Sequence, residues 1–359
     1  MSKNEYNLIN LGFTKYLSDY RENNSLKDHE IGRVTLEHKE RFTVQSAQNE
    51  IECELIGNLR FTANSRADLP AVGDWVAFDE FDAGKGIIHA IYPRKNVLER
   101  QSVGKYGQKQ IIGSNIDYGL IVQSVNRDYS INRIERYLTI CNSAQIEPII
   151  ILNKIDLVNS TQLNQILNAL NSRINGVKIF AISNKSGVGI DQLRSLMVIG
   201  KTYCLLGSSG VGKSTLINSL SFNEIQKTGA ISNTIERGKH ITTYRELIVL
   251  ENGGIIIDNP GMREVGLTEN AHGLEVTFEQ INELAKQCKF NDCSHQNESG
   301  CAVLTAIDAE ELSEETYVNY LKLEKEQNRF KYTLHEKRKK DKAFGKMVKQ
   351  VMKQKHNKR

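Results

Sequence analysis

The 359-residue chain carries 47 Lys+Arg against 43 Asp+Glu, with 39% hydrophobic and 25% charged residues, six Cys and one Trp. That composition suits two or three globular domains and excludes a wholly disordered chain, a collagen-like one and a disulfide-stapled miniprotein. The net charge of +4 is uneven: residues from Lys337 to Arg359 hold eleven Lys+Arg and one acid, a local +10, so the preceding 336 residues carry −6.

The amino terminus, MSKNEYNLINLGF, lacks the basic region and apolar run of a secretory signal, and no stretch approaches the roughly 18 apolar residues of a membrane span. A cytoplasmic protein with reduced thiols is expected. From about Ile31 to Tyr92, apolar residues recur two apart: Val34 and Leu36, Phe42 and Val44, then Ile51, Cys53 and Leu55. After the turn-like LPAVGD, Trp75 to Phe78 and Gly86 to Ile91 add further strands. Some five short strands predict a small barrel, of the OB type or another; the OB type is the commonest nucleic-acid binder. Residues 1–110 hold 15 Lys+Arg and 16 Asp+Glu, so composition marks no basic surface there.

From Asp117 the pattern changes to continuous apolar runs alternating with helical segments. Gly119 to Val122 and Pro148 to Leu152 read as strands buried on both faces, with a helix over Ile131 to Cys141 between them. Strands follow at Val177 to Ile182, Thr202 to Leu206, Arg245 to Leu250 and Gly254 to Ile257, separated by helices near Thr161 to Arg173 and Lys213 to Leu220. Alternation of this kind predicts an α/β domain on a largely parallel sheet. Beyond about Thr277 the chain becomes helical and cysteine-rich, then basic. The expected division is 1–110 barrel with an amino-terminal extension, 111–275 α/β domain, 276–336 helical domain and 337–359 basic tail.

The chemistry is concentrated in four segments. Gly207, Ser208, Ser209, Gly210, Val211, Gly212, Lys213 and Ser214 match GxxxxGK[ST] between a strand and a helix that opens through Thr215. Glycines let backbone N–H groups turn onto phosphate oxygens, Lys213 reaches the outer phosphates and the Ser214 hydroxyl ligates magnesium. Asn153-Lys154-Ile155-Asp156 follows a strand end, where an α/β sheet binds ligands. A carboxylate at Asp156 can accept from both the ring N–H and the exocyclic amine of guanine, a pair of donors adenine lacks, so a guanine nucleotide is expected. Ser183 and Asn184, after the next strand, suit contacts to the base's oxo group. Asp258-Asn259-Pro260-Gly261 gives DxxG, with Asp258 near magnesium and the Gly261 amide sensing the terminal phosphate. Between phosphate loop and DxxG, Gly238 to Thr243 reads GKHITT, a candidate switch. There Thr243, with Thr242 second, is the magnesium ligand and His240 the candidate for positioning water. Met262, after DxxG, cannot orient water as a glutamine would.

The base motif precedes the phosphate loop, so the usual GTPase order is circularly permuted. Cys288, Cys293, His295 and Cys301 form C-x4-C-x-H-x5-C, which in a reducing compartment points to one closed, structural zinc site. Cys53, Cys141 and Cys204 sit singly in apolar contexts, as small core residues do. In the tail, Phe344, Met347, Val348, Val351 and Met352 are spaced three and four apart among lysines, a basic amphipathic helix that suits RNA, a membrane surface or an acidic partner.

With permuted motifs behind a barrel and the Cys/His set after DxxG, the chain resembles the RsgA (YjeQ, YloQ) family of circularly permuted GTPases of small ribosomal subunit assembly. The resemblance runs from about Gly32 to the tail, and the switch departs from the family's GRHTTT at Lys239 and Ile241. It implies an amino-terminal OB domain, a permuted GTPase domain and a zinc-binding domain that together engage the subunit and its rRNA, with hydrolysis of GTP stimulated by the subunit late in its maturation. No membrane partner and a monomer are expected. The alternative is a non-enzymatic, nucleotide-sensing RNA-binding module.

Overall fold

Strands that alternate apolar and polar residues can bury their apolar faces by curling the sheet on itself into a closed barrel, as the amino-terminal part of the chain does. The computed structural model describes residues 8–38, 41–101, 109–126, 128–221, 245–258 and 272–328. After α1 (Lys15–Asn23), β1 (Glu30–His38), β2 (Arg41–Ser46), β3 (Glu50–Leu55), α2 (Gly57–Thr62), β4 (Trp75–Asp82) and β5 (Lys85–Ile91) pair in the order β1-β2-β3-β5-β4, and β4 returns to β1. The β3–β5 pair is parallel and the others antiparallel, the strand arrangement of an OB barrel. Phe42, Val44, Ile51 and Cys53 point inward with Val34, Val76, Phe78 and Ile88, as their spacing predicts. A second cluster on the outer wall packs Trp75, Ala77 and Ile31 against Leu11 and Leu17. The run at Trp75 to Phe78 is therefore buried on both faces.

A hairpin, β6 (Val97–Gln101) and β7 (Lys109–Ser114), leads out of the barrel. It was not expected from the sequence, because its apolar runs are short and a polar segment separates them. There follow β8 (Tyr118–Ser124), α3 (Ile131–Ser143), β9 (Glu147–Asn153), α4 (Ser160–Arg173), β10 (Lys178–Ala181), α5 (Ile190–Ser195), β11 (Thr202–Leu206), α6 (Lys213–Leu220), β12 (Glu246–Val249) and β13 (Ile255–Asp258). The parallel order is β10-β9-β8-β11-β13, with β12 antiparallel beside β13. The continuous apolar runs are explained by two covered faces: Ile150 and Leu152 enter one core, Ile149 and Ile151 the other. β12 also pairs with β1 at Glu246 and Leu36, so barrel and α/β sheet share one eleven-stranded sheet. Arg33 fills the seam, 1% exposed, donating to the carbonyls of Leu11, Gly73 and Asn115 and to Thr202 Oγ1. Burial pulls its pKa down to about 10 against the opposing pull of Asp117 and Asp74, which leaves it cationic at neutral pH.

The carboxyl-terminal part is helical: α7 (His272–Thr277), α8 (Glu279–Ala285), α9 (Ala302–Asp308) and α10 (Glu314–Asn328). α7 lies so close to α3 that a Cβ on Gly273 would strike Ser143 and the Thr139 carbonyl. α10 docks through ionic contacts: Arg136 binds Glu326 with both nitrogens at 2.5 and 2.7 Å, and Asn319 donates to Glu135, which also pairs with Arg173 at 2.8 Å. Among the described residues no helix is long and apolar enough to cross a membrane.

Candidate nucleotide and metal sites

The loop Gly207–Gly212 leaves the carboxyl end of β11, a strand with every residue buried. Gly207, Gly210 and Gly212 have φ of +147°, +82° and +98°, values that L side chains rarely adopt. Space is equally restrictive, since a Cβ on Gly207 would strike the Val122 carbonyl and one on Gly212 the Asn153 amide. Val211 is buried and anchors the loop, whereas Ser209, Gly210, Ser214 and Thr215 face solvent. Lys213 begins α6 and folds back, its Nζ 2.8 Å from the Gly207 carbonyl and 2.7 Å from that of Ser208. The ammonium thus sits over the loop where phosphate oxygens bind in such sites. No motif points to Tyr137 of α3, yet its phenol, whose pKa burial raises, lies near enough to Ser208 for that residue to oppose the rise. Only the tertiary packing of α3 brings it there.

The base motif lies two strands along the same sheet edge, on the far side of β8. Asn153 ends β9 almost completely buried, donating from Nδ2 to the Val211 carbonyl at 2.8 Å and accepting at Oδ1 from the Lys154 amide at 2.7 Å and the Asn184 amide at 3.4 Å. One side chain therefore ties the phosphate loop, the base motif and the loop after β10 together. Lys154 has φ of +64° and reaches the Gly210 carbonyl with Nζ at 2.7 Å. Asp156 is exposed, and its Oδ1 accepts from Ser183 Oγ at 2.6 Å, an orientation that leaves the other carboxylate oxygen for a ligand. Asn184 donates to the Gly212 carbonyl at 3.1 Å, and its buried Oδ1 has no protein partner in the structure. An acceptor kept without a partner at this edge fits a guanine-binding loop.

Asp258 ends β13, the neighbour of β11, and is buried at 5% exposure. It stands at the same carboxyl edge as the phosphate loop. Its like charge, second to desolvation, raises the pKa of Glu246 across the β12–β13 pair. His240, Thr242, Thr243, Gly261 and Met262 lie outside the described residues, as does the basic tail 337–359.

The second site is the Cys/His set. The ligand atoms of Cys288, Cys293, His295 and Cys301 all lie within 4.8 Å of one another. His295 Nδ1 is 3.5 Å from Cys288 Sγ and 3.4 Å from Cys301 Sγ, and those two sulfurs are 3.9 Å apart. Tetrahedral zinc with ordinary bond lengths sets such edges at about 3.5 Å for N···S and about 3.8 Å for S···S, so the donor set fits one zinc ion. Burial opposes thiolate formation at Cys288, but the amides of Ala302 and Val303 and the neighbouring thiols outweigh it and hold its pKa below the usual value. The turn that presents His295, at φ +59°, is fixed by Glu298, whose carboxylate accepts from the amides of Ser294, Gln296 and Asn297 and the hydroxyl of Ser294.

A phosphate loop on the central strand, a guanine motif on an earlier strand, a preceding OB barrel and a following Cys3His centre define a circularly permuted P-loop GTPase. The RsgA GTPase family model matches residues 91–268. The chain is 37% identical over 358 residues to the small ribosomal subunit biogenesis GTPase RsgA 1 of Bacteroides thetaiotaomicron, covering 99% of this chain and 100% of that one. It is 41% identical over 316 residues to the protein named RsgA 2 of Listeria monocytogenes, covering 88% of each. In three dimensions it is similar to YjeQ from Thermotoga maritima, with a TM-score of 0.63, 28% identity and coverage of 82% of this chain and 97% of that one. It also shares the fold of YloQ, described as a circularly permuted GTPase, with a TM-score of 0.60, 24% identity and coverage of 86% and 99%. The chain belongs to the RsgA GTPase family, and is accordingly a GTP hydrolase that uses GTP/GDP and Mg2+.

Proposed function

We propose that this GTPase acts in late maturation of the small ribosomal subunit, binding its rRNA and hydrolysing GTP faster when bound to the subunit. The reading is carried by end-to-end similarity to a relative named for small ribosomal subunit biogenesis. The +10 tail suits a phosphate-rich partner. We place the protein in the cytoplasm, as a monomer without a membrane partner, with 1–110, 111–275, 276–336 and 337–359 as its working divisions.

In the proposed site, Gly207 to Lys213 enclose the phosphates with backbone amides and the Lys213 ammonium. Thr215 lies at the loop's exit, and Asn153, Lys154, Asp156, Ser183 and Asn184 hold guanine. Ser214 and Thr243 would hold magnesium, Asp258 would reach it through water, and the Gly261 amide would sense the terminal phosphate. Magnesium supplies charge neutralisation on the phosphate oxygens. His240 orients the attacking water, and Lys213 and Thr243 support charge at the transferred phosphoryl group. Because Met262 cannot play the glutamine's part, intrinsic turnover is slow and the subunit completes the site. The test is the GTPase rate at saturating GTP with and without purified small subunits. Stimulation of at least tenfold is expected; equal rates overturn the reading and leave the non-enzymatic nucleotide sensor in its place.

A further inference from the structure

We propose that the barrel carries a second metal site, formed by His29, Asp79 and His89, which takes a divalent transition ion such as Zn2+. His29 Nδ1 lies 2.8 Å from Asp79 Oδ1 and His89 Nε2 lies 2.9 Å from Asp79 Oδ2. The ligand atoms of the three residues fall within 4.8 Å of one another, and the two imidazoles stack with centroids 4.4 Å apart at 19°. Ligand atoms around a four-coordinate ion with bonds near 2.0–2.1 Å stand about 3.3–3.5 Å apart. With each ring proton exchanged through solvent onto the nitrogen that faces away from Asp79, small rotations of the partly exposed side chains convert the hydrogen-bonded set into a coordinating one.

The three residues come from parts of the barrel that are distant in sequence and fixed in space. His29 immediately precedes β1; its amide donates to the Leu26 carbonyl at 3.3 Å and its own carbonyl accepts from Arg21 Nη2 at 2.6 Å. Asp79 lies on β4, which pairs with β1 where the barrel closes. Ala77 and Phe78 of β4 face Ala90 and Ile88 of β5, so His89 is the extra residue of a bulge, a device that re-aims a side chain. Among the described residues the ion-pair partners of Asp79 are these two imidazoles, with neither lysine nor arginine. The surroundings are acidic as well, since Glu30 and Glu80 adjoin His29 and Asp79 in the chain. Two imidazoles and one carboxylate beside two further carboxylates attract a cation. Their nitrogen donors select a transition ion over Mg2+ or Ca2+, with water in the remaining positions. Such an ion would join the entry to β1 with β4 and β5 and so clamp the closure of the barrel.

The test uses the full chain. Isothermal titration with ZnCl2 after metal removal is expected to give two equivalents per chain, one tight and one weaker. His29→Ala and His89→Gln each abolish the weaker equivalent or weaken it at least tenfold while keeping the tight one. Retention of the tight equivalent and of guanine-nucleotide binding shows that these variants fold. Titration with Co2+ gives a second readout: the barrel site adds ligand-field bands without thiolate charge-transfer absorption, and the histidine variants lose only those bands. A single equivalent in the wild type, or a second one unchanged in both variants, overturns the proposal and leaves the cluster as a hydrogen-bonded triad.

Discussion

Asp156 is the residue on which the proposed guanine specificity rests. Ser183 holds one carboxylate oxygen, and an acceptor-only group facing guanine matches its two N–H donors. Asp156→Asn replaces one acceptor with a donor, which clashes with the exocyclic amine of guanine and complements the oxo group at that position of xanthine. Competition binding is expected to show GTP affinity falling at least tenfold and XTP overtaking it; retained preference for GTP would remove Asp156 from the base site. Asp117 illustrates a structural carboxylate near the sheet's other edge. Burial pushes its pKa up, but the hydrogen bond from Lys95, the Thr202 amide and the charges of Lys95 and Lys201 together hold it below the usual carboxylate range. A depressed folded pKa means that the stabilisation is complete above the unfolded value, near 3.9, and is lost as pH falls through the folded one. Asp117→Asn should therefore cost about 2 kcal/mol in urea denaturation at about pH 7, and the gap to wild type should narrow at about pH 3.

At the scale of elements, α3 has two duties. One side meets the phosphate loop through Tyr137 and Ser208, and the other holds α10 through Arg136 and Glu135. Glu135 is 3% exposed in its side chain and Arg173 10% exposed. Arg173→Ala leaves that carboxylate without its cation and is expected to destabilise the protein by about 3 kcal/mol in chemical denaturation, with the double variant Glu135→Leu, Arg173→Met recovering much of the loss. The elements themselves were largely legible. Ile149 to Leu152 had to be a strand covered on both faces, and Phe42 with Val44 had to alternate, because burial imposes the period. The β6–β7 hairpin was not legible, since Ile111 and Ile112 form too short a run to distinguish a strand from a linker. The network of Glu135, Arg173 and Asn319 was equally hidden: each is an ordinary polar residue until the fold brings it to the others.

For the whole molecule, the Cys3His centre is continuous with the main core, for Cys301 and Val303 belong to the same apolar cluster as Ile134 and Ile257. Zinc removal should therefore lower the cooperative melting temperature of the full chain by at least about 5 °C, with recovery on adding zinc. A melting curve indifferent to chelator would separate the cysteine set from stability. The same continuity connects the barrel, since β12 pairs with β1 and Arg33 crosses the seam. The barrel, the α/β sheet and the cysteine set are therefore joined through packed and paired contacts.

By itself the sequence determined the α/β sheet, the barrel, the permuted order of motifs and the zinc ligands, because each depends on local spacing: a period of two, a covered apolar run, a glycine loop before a lysine, or cysteines a few residues apart. Tertiary structure alone decided that Asn153 links the phosphate loop to the base motif, that Arg33 closes the seam between barrel and sheet, and that His29, Asp79 and His89 meet on the barrel. Those arrangements join residues tens of positions apart, and no periodicity records a distance that only the closing of a sheet creates.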